Sequence, residues 1–137
     1  MRPGRHYESM LGARFVQVKN ISVYPPQVKN PKGERHEDLG FFSYDNARKA
    51  IVFRQFHVEG FVNQYRSETV SGERIVFITE SIENIPDGWR ARETYEITGE
   101  DSFVERFELA APGKEFDLYS ENRLQRVVQQ PYEPGPA

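Results

Sequence analysis

Seven short breaks built largely from Gly, Pro, Asn and Asp divide residues 13–127 into eight segments rich in Val, Ile, Phe, Tyr and Thr. No segment keeps the 3.6-residue spacing of an amphipathic helix, and several alternate apolar with polar residues at the period of two that a half-buried strand requires. The breaks are "PPQVKNPKG", "DNARK", "EG", "SG", "NIPDG", "GEDS" and "PGK", whose residues adopt the special backbone angles of turns. Strands are expected near 13–24, 35–44, 50–58, 61–69, 74–82, 89–98, 103–110 and 115–127. Most links are short enough to force hairpins, so most neighbours are antiparallel. Such a meander favours an up-and-down barrel over a sandwich, and about eight strands enclose room for one small ligand.

Length and composition bound the rest. With 137 residues, 37% of them hydrophobic, the chain has the size and make-up of one globular domain, expected over residues 1–130. The proline-rich end, residues 131–137, reads as a flexible tail. A net charge of −3 without a basic stripe argues against a nucleic-acid partner. The absence of cysteine excludes disulfides and thiolate chemistry. No apolar run reaches the roughly 18 residues of a membrane span, and "MRPGRHYESMLG" lacks a signal-peptide core, so no membrane partner and a cytoplasmic location are expected. Asn20-Ile21-Ser22 fits the glycosylation pattern but reads as a chance match without such a signal.

Hairpin geometry assigns faces. A two-residue loop at Glu59-Gly60 pairs Val58 with Phe61, Phe56 with Asn63 and Arg54 with Tyr65, and the larger aromatic cluster marks that side as the interior. His57 then falls outside, as a rim residue. A Pro112-Gly113 turn pairs Phe107 with Leu118, Glu105 with Ser120 and Phe103 with Asn122, leaving Tyr119 on a solvated stripe. Across "GEDS", Ile97 pairs with Phe103, Tyr95 with Glu105, Glu93 with Phe107 and Ala91 with Leu109. The candidate ligand-binding set is Arg54, Phe56, Asn63, Tyr65, Glu93, Tyr95, Glu105, Phe107, Ser120 and Asn122. So many inward polar groups must pair with one another, with water or with something bound, because each unpaired buried charge costs several kcal/mol. Arg54 can take a carboxylate through two parallel bonds. The same set also reads as a closed ionic cluster that fixes strand register and holds no ligand.

The stretch "HYESMLGARFVQV", followed by "HEDLGFFSYDNARKAIVFRQF", resembles small bacterial lipocalin-like domains of unknown function, over roughly residues 6 to 127. The resemblance implies a calycin-type antiparallel barrel, distantly similar to fatty-acid-binding proteins and to the haem-binding nitrobindins. Those domains open with an additional strand carrying Gly-x-Trp-x-Gly, which has no counterpart here, since the single tryptophan is Trp89. The first strand, "ARFVQVKNISVY", is therefore expected to present a free edge, and closure of the barrel to be incomplete. The nitrobindin iron ligand is a histidine near the C-terminal strand, and "EFDLYSENRLQRVV" has none.

His6, His36 and His57 lack metal-ligand spacing, and no catalytic elbow, phosphate loop or dinucleotide fingerprint occurs. Glu93 and Glu105 suit acid/base work and serve equally well as partners of Arg54. The reading is an all-β lipocalin-like barrel that binds a small amphipathic or anionic hydrophobic molecule, with no catalytic residues, no metal and no cofactor. The alternatives are an interaction or assembly module, dimeric through the N-terminal edge strand, and, third, haem binding or a nitrobindin-like isomerase activity.

Overall fold

A computed structural model describes residues 4–28 and 30–127. Nine antiparallel strands run β1 (Gly4–Met10), β2 (Phe15–Tyr24), β3 (Glu34–Asp45), β4 (Ala50–His57), β5 (Val62–Val70), β6 (Arg74–Glu83), β7 (Arg90–Gly99), β8 (Ser102–Ala110) and β9 (Asp117–Gln125). They form one sheet in sequence order, curled into an open half-barrel. The fold is thus the expected all-β meander, short of closure and one strand longer than the pattern implied. No helix among the described residues is long and apolar enough to cross a membrane. The tail assigned to 131–137 lies outside the described residues.

The additional strand is β1, which pairs with β2 from Gly4↔Ile21 to Met10↔Phe15. The expected free edge on β2 is therefore covered. "GRHYESM" escapes a search for apolar alternation because its inward positions are Arg5, Tyr7 and Ser9, of which only Tyr7 is aromatic. The turn that follows places Leu11, Gly12 and Ala13 all at positive φ, a conformation for which only Gly12 is well suited.

Alternation around the sheet brings Val18, Phe53, Tyr65, Phe77 and Ala91 together as the buried core. Phe53 stacks between Phe42, at 4.2 Å between ring centroids, and Tyr65, at 5.6 Å. Its ring also lies over Gly40, where an added Cβ would sit 2.4 Å from Phe53 Cε1. Gly40 is thus the residue that lets β3 meet the ring of β4 without a side chain between them.

Two hairpins depart from their expected registers. In β8–β9 the ladder beyond a bulge is moved by two residues, so Phe107 meets Ser120, Glu105 meets Asn122 and Phe103 meets Leu124 in place of Leu118, Ser120 and Asn122, and the faces are kept. In β4–β5 the shift has larger consequences. His57 N–H donates to the Phe61 carbonyl and Gly60 N–H to the His57 carbonyl, so the loop spends three residues, Val58 to Gly60, with Gly60 at φ 98°. The ladder becomes Phe56↔Val62, Gln55↔Asn63, Arg54↔Gln64 and Phe53↔Tyr65. A one-residue slip exchanges the faces of a strand. Arg54 and Phe56 accordingly lie on the outer surface, while Phe53, Gln55 and His57 turn inward. The β7–β8 ladder has the register expected across "GEDS".

Candidate functional site

Five interior polar side chains, Arg5, Asn20, Asp38, Gln55 and Glu105, form one connected chain across five strands. Arg5 on β1 donates from Nη2 to Glu105 Oε1 at 2.9 Å and from Nε to Oε2 at 3.3 Å, spanning the open side of the sheet to reach β8. Arg5 Nη1 also donates to Asn20 Oδ1. Asn20 Nδ2 donates to Asp38 Oδ2 at 2.8 Å, and Gln55 Nε2 to Asp38 Oδ1 at 3.0 Å. The order follows from strand pairing, because Arg5↔Asn20 and Asn20↔Asp38 are direct cross-strand partners and share a face. The buried guanidinium–carboxylate pair thus has further polar partners, the condition under which such a pair is tolerated.

Glu93 stands apart from this chain. It accepts a hydrogen bond from Tyr95 Oη at 2.8 Å and is 6% exposed. Burial pushes its carboxyl up to about 8, reinforced by the neighbouring charge of Glu105 and, more weakly, Asp38, against the opposing effects of Tyr95 and Arg5. Glu105 is bound to the Arg5 guanidinium, and Glu93 keeps a proton near neutral pH. Burial also raises the hydroxyls of Tyr95, Tyr65 and Tyr7, and lowers the imidazole of His57.

Apart from Tyr65, which is buried in the core, these groups line a cavity of about 210 Å³. Its polar lining is Arg5, Asn20, Asp38, Gln55, Glu93 and Glu105, and Tyr7, Phe53, Tyr95, Phe107 and Tyr119 add aromatic rings to the same space. A bulge in β9 places Tyr119 beside Ser120, where Phe107↔Ser120 is followed by Glu108↔Leu118, so both adjacent residues reach the cavity. Convergent polar groups, apolar surface and a displaced carboxyl equilibrium make this cavity the candidate site.

Of the residues expected here, Glu93, Tyr95, Glu105, Phe107 and Ser120 do line this cavity. Asn63 and Tyr65 face inward but are buried in the adjoining core, joined by a bond of 2.9 Å from Asn63 Nδ2 to Tyr65 Oη. Asn122 pairs with Glu105 and is half-buried outside the cavity lining. Arg54 is exposed beside Ser43, and Phe56 borders a separate outer depression with Lys19 and Leu39. The interior cation is Arg5, not Arg54. His57 and Tyr119, expected outside, line the cavity. Asp38 and Gln55 were legible only once the three-residue loop was known; Arg5 required recognising β1.

The chain matches no protein-family model, and no curated protein matches it.

Proposed function

We propose that this half-barrel is a lipocalin-like binding protein that takes one small amphipathic molecule into its concave face, in the cytoplasm. The observation that carries the reading is the mixed lining of the cavity: a hydrogen-bonded polar chain from Arg5 to Gln55 and five aromatic rings border the same space. An anionic head is the poorer match, because the only guanidinium in the lining is already bound through two bonds to Glu105. A native mass spectrum of freshly purified protein tests the reading. One small-molecule adduct per chain, and uptake of N-phenyl-1-naphthylamine at one site by stripped protein, are expected. Protein that carries no adduct and takes up no probe refutes it.

A second reading, assembly, draws on the sheet ends. Among the described residues β1 and β9 each pair along one side only, and a strand edge is a template for a further strand. A two-fold dimer through β1 would use the N-terminal edge. The same spectrum reports subunit number, and a strict monomer at micromolar concentration removes this reading.

A further inference from the structure

We infer that the head group this cavity selects is a protonated amine, carried on a small alkyl or aryl body. The inference rests on the proposed binding function and specifies its ligand class. Three carboxyl groups, Asp38, Glu93 and Glu105, face the space, against a single guanidinium that is engaged by Glu105 and Asn20. Asp38 receives two amide N–H groups and no cation within ion-pair distance among the described residues. Rings from four strands surround the same space: Tyr7, Phe53, Tyr95 and Phe107. Aromatic faces attract cations, most strongly where water is excluded, and repel anions. His57 adds a buried Nε2 without a hydrogen-bond partner on the cavity wall. Burial lowers its imidazole, which weakens it as a competing second cation.

Glu93 makes the preference pH-dependent. The charged and titratable groups around it are Glu105 from β8, Arg5 and Tyr7 from β1, Asp38 from β3, Tyr65 from β5 and its own neighbour Tyr95. Of these only Arg5 is positive, and it is shared. An ammonium entering beside Glu93 stabilises the carboxylate, so binding expels the proton. Affinity for a permanently charged ammonium then rises with pH, by up to about tenfold per unit below pH 8, and levels off above it. Alkylammonium ions keep their proton across this range, as lysine does.

The test uses three probes with one body, hexylammonium, hexanol and hexanoate, measured by displacement of N-phenyl-1-naphthylamine from the whole chain. At pH 8 the expected order is ammonium, alcohol, carboxylate, with an ammonium-to-alcohol ratio of about ten or more that shrinks toward pH 6. In Glu93→Gln the ratio loses its pH dependence, and in Asp38→Asn it falls at every pH. Circular dichroism confirms that both variants fold. Hexanoate binding as tightly as hexylammonium, or a ratio indifferent to pH and to both substitutions, overturns the inference while leaving the binding function standing. Failure of all three probes to displace bound dye likewise overturns the inference alone, whereas a chain that carries no adduct and takes up no dye overturns both.

Discussion

Replacing Glu93 by Gln removes a carboxyl that the folded chain holds protonated and the unfolded chain releases. The native value is about 8 against about 4.5 for an unperturbed glutamate. Between those values the native state binds one more proton than the unfolded state, so stability declines as pH rises. The contribution is fully present below pH 4.5 and is lost as pH climbs through 8. In the middle of the window the slope is about 1.4 kcal/mol per pH unit. Wild type should lose about 2–3 kcal/mol relative to Glu93→Gln between pH 5 and 7, and about 1 kcal/mol more between pH 7 and 9. Urea unfolding followed by Trp89 fluorescence at the three pH values measures this. Subtracting the variant's curve cancels the surface carboxylates and His57, whose depressed imidazole acts with the opposite sign, losing stability as pH falls. A difference that stays flat within about 0.5 kcal/mol from pH 5 to 9 refutes the buried, protonated glutamate.

Arg5→Met strands Glu105 without its cation and should cost about 3–5 kcal/mol in urea unfolding, most of it recovered in the double variant Arg5→Met/Glu105→Leu. Gly40→Ala drives a methyl into the Phe53 ring, which its stacked neighbours hold in place, and should cost about 1–3 kcal/mol in the same assay. Arg54→Met, on the outer face, should change stability by no more than about 0.5 kcal/mol and leave ligand binding intact; a large loss would return Arg54 to the interior.

The fold class was legible because turn residues and alternation act locally. The β7–β8 register was legible for the same reason: Ile97 stands opposite Phe103 as expected, although Gly99 pairs with Ser102 beyond a bulge at Thr98 where an open five-residue connection was expected. The β4–β5 hairpin was not, because "VEGF" is compatible with loops of two or three residues, and both choices bury aromatics. Choosing two carried Arg54 inward and His57 outward. The cavity was half legible: Glu93, Glu105 and Phe107 follow from one well-read ladder. Arg5 depends on a strand whose polar inward residues are explained only by what they meet across the opening, which no local pattern records.

Arg5 and Glu105 lie 100 residues apart, whereas every ladder in the sheet joins strands that follow one another along the chain. A ribbon of this kind grows by zipping, each new strand finding the last one across a short turn, with little loop-closure entropy at any step. The clasp between β1 and β8 is different in kind, since it forms only after the intervening strands have brought its two ends together. A clasp that closes last should lie on the native side of the folding barrier. Arg5→Met is therefore expected to leave the folding rate unchanged and to raise the unfolding rate in a chevron plot, the behaviour of a latch on the lifetime of the folded state.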